Sequence, residues 1–508
     1  MKLKPTDPAG GVNEPGLFRP GAGEPALSPF LSITQVAQGL RSGEFSSEAL
    51  TQLALDRIRQ FDTSLHAFVT VTAEVALAQA RHADQERSRG LDRGALHGVP
   101  IALKDNIFTQ GIRTTCHSRV MRDHIPDENA YVVERLRESG AVVLGKTGLW
   151  EFAYGVPAPD DEIPAPRNPW SLEHSPGGSS SGSGAAVAAG LVFGAVGTDT
   201  GGSIRHPSAV CGLVGMKPSF GLVSQRGVVA LSPSLDHIGP MTRTVHDNAL
   251  MLQAMAGFDA RDPNSRASAA GLSPTAFIGQ PLRGLSAGVP ANLLEAADLD
   301  TQVSAAFEEA LRALRDLGLT IEHFQLEGFD AVHADSTIIL EFEAWREHEA
   351  RLQLYSSLYG EALKKRLTRA PRHSAESYRQ ARLRAASQSE SLRALLSSRF
   401  SVLLMPGREA PAMSMADLYS ETPTRRGRIT RLGNLTGASA LVLPMGFSEQ
   451  PRLPLSLQII GAHFAEARVY QVAAAYEASQ RWVDSHPVWL DRKGSTLANS
   501  ASGASSAM

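Results

Sequence analysis

An α/β fold is predicted by three observations on this 508-residue chain. Segments with helical and with strand periodicity interleave along most of its length, which is the pattern of helices packed on a sheet. Apolar residues make up 43% of the sequence, enough for a large core. The small-apolar run from Gly184 to Gly197, broken by glycines, is shorter than the roughly 20 residues of a membrane span and reads as a core helix running into a strand.

The elements follow in order. Residues 1–30 are rich in proline and glycine without an apolar stretch, which marks a tail rather than a secretion signal. SSEALTQLALDRIRQF then places Leu50, Ala54, Ile58 and Phe61 on one helical face, with Ser46 as its N-cap. HGVPIALKDN carries a short apolar strand into Lys104, at a strand end where α/β folds tend to place chemistry. A helix is expected at 130–139, a buried strand at 141–145 and a proline-rich loop at 160–178. Later strands are expected at 286–290, 401–405, 440–444 and 455–460, with helices at 301–317 and 465–481. From 333 to 398 strand signals vanish and charged helical sequence dominates, as in a helical insertion or lid; residues 491–508 form a low-complexity tail.

Composition narrows the function. The 49 Lys and Arg nearly cancel the 52 Asp and Glu, so no overall field directs the chain to nucleic acid or an anionic membrane, and a small neutral partner fits better. Cys116 and Cys211 are too few for a disulfide framework or a cysteine zinc site, which points to the cytoplasm. No His-Glu-x-x-His pattern occurs, so no metal is expected.

Three short patterns compete for the chemistry. GAVVLGKT at 140–147 satisfies the phosphate-loop expression and would make Lys146 a nucleotide ligand. Its context is wrong, because a helical pattern precedes Gly140 and strand formers fill the loop. Gly178-Ser179-Ser180-Ser181-Gly182 matches the nucleophile elbow centred on Ser180, yet the polar, proline-broken LEHSPG stands where a strand is required. The third is a constellation: Lys104 after a strand, Ser179 in one Gly/Ser turn and Ser203 in another. A linker would be embedded in flexible polar sequence, whereas these turns bracket AAVAAGLVFGAV, which belongs in a core.

Residues 177–218 resemble the amidase signature family, whose Gly-Gly-Ser-Ser-Gly-Gly turn, Ala-rich helix, Gly-Thr-Asp-x-Gly-Gly-Ser-Ile-Arg and Cys-Gly-x-x-Gly-x-Lys-Pro are followed closely here. LHGVPIALKDNI, GAVVLGKT, SLDHIGPMTRTVHD, NLTGASALVLPMG and LSLQIIGAHF extend the likeness from residue 32 to 484. Ser181 stands where the family has glycine, Gly148 where it has asparagine, and His206 follows the signature arginine. The resemblance implies a central mixed β-sheet covered by helices on both faces, forming one catalytic domain at 31–490.

It also implies roles. Ser203 is the nucleophile, Ser179 a bridging serine and Lys104 the base; Asp199 and Arg205 brace the turn. The backbone N–H groups of Thr200, Gly201, Gly202 and Ser203 form the oxyanion hole. A lysine at its ordinary pKa is neutral in only about one molecule in a thousand near pH 7.4, a penalty of roughly 4 kcal/mol, so the site must depress it. Asp105 must therefore point elsewhere. The implied activity is cofactor-free hydrolysis of a small amide, with carbamates and esters open, and Trp150, Phe152 and Tyr154 suggest an apolar or aryl substrate. The alternative within the family is an amidotransferase component that hydrolyses glutamine beside partner chains; a homodimer is left open.

Overall fold

The computed structural model describes residues 27–491 apart from 160, 270, 370–372, 421–426, 481, 483 and 484. Of the expected tails, only residues 27–30 and 491 fall within this range. The described strands are β1 (Phe68–Val71), β2 (Pro100–Lys104), β3 (Val142–Thr147), β4 (Gly194–Asp199), β5 (Val214–Lys217), β6 (His237–Thr242), β7 (Ser286–Pro290), β8 (Thr320–Phe324), β9 (Val402–Pro406), β10 (Ala440–Phe447) and β11 (Pro454–Ile460). They form one sheet in the order β1-β3-β2-β4-β6-β5-β10-β11-β9-β7-β8. β2 runs parallel to β3 and β4, β7 runs parallel to β8 and β9, and the remaining pairs are antiparallel. The sheet is mixed, as expected.

Alternation along the strands shows that both faces are covered. On one face Ile101, Leu103, Val143, Val196, Val402, Leu404, Leu441 and Leu457 join a single core with the helices Val245–Met255, Thr301–Asp316 and Glu466–Ala478. On the other face Ala102, Val142, Leu144 and Ala195 meet the helices Ser47–Leu65 and Ser181–Ala188. Further along that face, Leu403, Met405 and Ala440 pack against Ile339, Leu340, Leu363, Ala381 and Leu392 of the helical segment. That segment consists of the helices Val332–Tyr355, Glu361–Leu367 and Ala375–Ser398.

Local signals hold where they were strongest. Ser46 caps the helix Ser47–Leu65 by accepting from the Ala49 N–H, and Leu50, Ala54, Ile58 and Phe61 are buried. Both cysteines are buried and free. Among the described residues no helix is long and apolar enough to cross a membrane.

The phosphate-loop reading of Lys146 is corrected. Residues 142–147 are β3 itself, and Gly145 sits so close to β1 that a Cβ would fall 2.1 Å from the Thr70 carbonyl oxygen. Lys146 is buried, donating to the Ile107 carbonyl and Thr114 Oγ1 (2.6 Å each) and lying 3.5 Å from the Asp105 carboxylate. No bare loop of N–H groups exists there for a phosphate to enter.

Candidate active site

Parallel pairing brings the ends of β2 and β4 side by side, with Leu103 opposite Val196, so Lys104 and Asp199 emerge at the same edge of the sheet. Two turns complete the site. The first precedes the helix Ser181–Ala188, and the second, residues 200–204, leads into the helix Arg205–Cys211. The Ser180 N–H donates to the Ser203 carbonyl at 3.2 Å, which fastens one turn to the other.

Lys104 is fully buried. Its Nζ lies 2.9 Å from Ser179 Oγ and donates to Thr198 Oγ1 at 2.7 Å. Burial pushes its pKa down to about 7, against the opposing pull of Asp199 and Asp236. Asp105, next in sequence, is turned away and accepts from the Thr115 N–H (2.9 Å) and hydroxyl (2.5 Å) beside Lys146. Ser179 is buried and follows a cis peptide from Gly178, whereas Ser203 is part-exposed.

Ser180 is occupied elsewhere. Its Oγ donates to the Thr198 carbonyl (3.2 Å) and accepts from the Thr198 N–H (3.3 Å), so it pins the helix start to β4. The elbow match has no accessible hydroxyl at its centre.

The second turn is organised by Asp199. Its carboxylate accepts from the Gly202 N–H (2.7 Å), the Ile204 N–H (3.1 Å), Arg205 Nε and Nη2 (3.0 Å each) and Asn434 Nδ2 (2.8 Å). The Arg205 guanidinium and these hydrogen bonds hold Asp199 far below the usual carboxylate range despite burial. As a result the Gly202 N–H, expected to face an oxyanion, is given to Asp199. Among the described residues the N–H groups of Thr200, Gly201 and Ser203 have no protein acceptor. Thr200 is held by its hydroxyl, which donates to Asp236 Oδ1 at 2.5 Å.

Several residues that shape this site were assigned no role in the sequence. Thr198 shares Lys104 with Ser179, and its hydroxyl also meets Asn106 Nδ2 at 3.3 Å. Thr430 Oγ1 donates to the Gly201 carbonyl at 2.8 Å, and Asn434 Nδ2 donates to the Asp199 carbonyl at 2.9 Å. Asp236 and Asn434 lie in the SLDHIGP and NLTGAS segments, so the resemblance marked the stretches but not the atoms. Arg431 had no signal at all.

The aromatic cluster after Gly148 divides. Trp150 lies over Gly178, where a Cβ would meet its ring at 2.2 Å, and His206 packs edge-on to it while accepting from the Gly178 N–H (3.3 Å). Phe152 instead stacks on Tyr359 and meets His348 inside the core. Arg366 reaches over both Trp150 and Tyr154 from the helical segment. Among the described residues no group of three His, Cys, Asp or Glu side chains comes together to hold a metal ion.

A buried lysine coupled to a serine on a mixed α/β sheet, with N–H groups unpaired among the described residues beside a second serine, is an arrangement chemically able to support acyl transfer. The amidase family profile matches residues 49–470, and the chain belongs to that family. It is 36% identical over 485 residues to a glutamyl-tRNA(Gln) amidotransferase subunit from Carboxydothermus hydrogenoformans, covering 90% of this chain and 99% of that one. The solved peptide amidase of Stenotrophomonas maltophilia superposes with a TM-score of 0.75 at 31% identity, over 88% of this chain and 96% of that one. A structure from a vestigial protein complex, described as revealing the origins of an s-triazine catabolic enzyme, gives a TM-score of 0.81 at 28% identity over 88% and 98%.

Proposed function

We propose that this chain cleaves the carbon–nitrogen bond of a small amide through an acyl-enzyme on Ser203. The observation that carries this is the Lys104 side-chain nitrogen, buried without a carboxylate partner among the described residues, 2.9 Å from Ser179 and with its pKa brought down to about 7. A neutral Lys104 takes the Ser179 proton as Ser179 takes that of Ser203, and Ser203 Oγ attacks the amide carbon. The carbonyl oxygen becomes an oxyanion facing the N–H groups of Thr200, Gly201 and Ser203, each such donor being worth about 3 kcal/mol in related chemistry. The proton returns through Ser179 to the leaving nitrogen, the C–N bond breaks, and ammonia or an amine departs. Water, deprotonated by the same relay, then releases the acid and restores Ser203.

Two substrate classes follow from the relatives. Likeness to amidotransferase subunits favours a glutamine-type primary amide as acyl donor, hydrolysed beside partner chains. Likeness to peptide amidase supports a stand-alone hydrolase. With Phe152 committed to packing, the case for an aryl substrate rests on Trp150 and Tyr154 alone.

The test is a fluorophosphonate, with the adduct located by mass spectrometry, together with ammonia release from glutamine and from simple amides by the isolated chain. Labelling at Ser203, lost in Ser203→Ala and strongly slowed in Lys104→Ala, is expected. Labelling at Ser180, or full turnover by Ser203→Ala, would overturn the assignment.

A further inference from the structure

Two arginines at the mouth of the site, Arg431 and Arg366, have no ion-pair partner among the described residues. Arg431 begins the helix Arg431–Thr436 and lies against the second turn: a Cβ on Gly201 would sit 3.1 Å from its guanidinium carbon and Nη1 and 3.2 Å from Nε. Its Nη1 donates to Ser336 Oγ (3.2 Å), and its buried Nε has no partner among the described residues. Arg366 approaches the same place, donating from Nη1 to the Tyr154 carbonyl (2.5 Å) while its guanidinium lies 5.1 Å from the Tyr154 ring centre. Arg431 feels the charge of Arg366, and both arginines feel Tyr154 and Glu341. Among the described residues neither is within ion-pairing distance of a carboxylate. Glu341 is engaged with His373 at 2.6 Å, and Asp199 is saturated by Arg205, Asn434 and the turn.

Two permanent charges taken out of water without counter-ions destabilise a fold unless something else requires them. An arginine with a planar edge still free, beside the backbone that would cradle the scissile carbonyl, is suited to a carboxylate. We propose that Arg431 is a specificity-determining residue that binds a carboxylate on the substrate, with Arg366 adding to the field. The substrate class is then a monoamide of a dicarboxylic acid, the amide at Ser203 and the acid at Arg431. With no free acid among the described residues of this subsite, an α-amino group gains nothing, so glutamine should bind no better than its deaminated analogue glutaramate. This deepens the serine-amidase reading and rests on it.

The experiment is protection of Ser203 from fluorophosphonate by glutaramate and by pentanamide, which has the same carbon chain but a methyl in place of the carboxylate. In the wild type, glutaramate should protect at a concentration at least tenfold below pentanamide. In Arg431→Leu the protective concentration of glutaramate should rise ten- to a hundredfold more than that of pentanamide, and Arg431→Lys should recover part of the difference. Equal protection by the two amides, protection by neither, or an equal shift for both in Arg431→Leu would overturn the carboxylate subsite while leaving Ser203 as nucleophile. Absence of Ser203 labelling in the wild type would instead sink the serine reading, and the subsite with it.

Discussion

At the scale of single residues, Lys104 sets the pH behaviour. Its folded-state pKa of about 7 lies below the ordinary lysine value of 10.5, because burial disfavours the charged form more than Asp199 and Asp236 support it. In the proposed relay the base is the neutral amine. Turnover of an uncharged amide should therefore rise tenfold per pH unit below 7 and level off above it, and a profile flat from pH 5 to 9 would remove Lys104 from the proton path. The same shift appears in stability. Between pH 7 and 10.5 the unfolded chain binds a proton at this position that the folded chain does not, so the wild type loses stability as pH falls through that window. Lys104→Met should flatten the dependence by one proton, about 1.4 kcal/mol per pH unit, measured by urea unfolding at several pH values. Gly202 illustrates a different constraint. At φ +125° with Thr430 Oγ1 2.7 Å from where a Cβ would stand, it lets the turn close on Asp199, a need that glycine in the sequence signals without naming the acceptor.

At the scale of elements, the helical segment holds the turn at 200–204 through a chain of hydrogen bonds. Glu343, on the helix Val332–Tyr355, accepts from the hydroxyls of Ser232 and Ser234 and from Tyr378 (2.7 Å each). The N–H groups of Leu231 and Ser232 in that loop donate to Asp236, which in turn takes the Thr200 hydroxyl. Glu343→Ala should lower kcat about tenfold with little change in KM, since small displacements of reacting groups are costly. Steady-state kinetics decide it, and a loss confined to KM would show that the segment touches substrate rather than the turn. The segment's helical character was legible because long charged sequence excludes buried strands. Its link to the turn was not, because Glu343 and Ser232 lie far apart in sequence and look like any surface pair. Edge strands were also missed: β8 is largely exposed and β1 has four residues, so neither carries the apolar run that identified β3, β10 and β11.

At the scale of the whole molecule, Arg205 joins regions that the sequence keeps apart. It is fully buried, and besides Asp199 it donates to the Thr430 carbonyl (2.8 Å), Gln458 Oε1 (2.7 Å) and Asn434 Oδ1 (2.6 Å). Gln458 is on β11, separated from β4 by β6, β5 and β10 in the sheet order, so one guanidinium spans the middle of the sheet. The sequence could suggest that Asp199 and Arg205 brace a turn, since they stand six apart in one motif. It could not show Gln458 or Asn434, more than two hundred residues away. Removing the arginine leaves the Asp199 charge buried and unmatched, a change that typically costs about 3–5 kcal/mol. Arg205→Met should accordingly lower the urea midpoint sharply. Asp199→Asn combined with Arg205→Met should recover part of the loss, because the unmatched Asp199 charge is then removed. An unchanged midpoint in Arg205→Met would mean that the bridge contributes nothing net to stability, and that Arg205 serves only to shape the turn that presents Ser203.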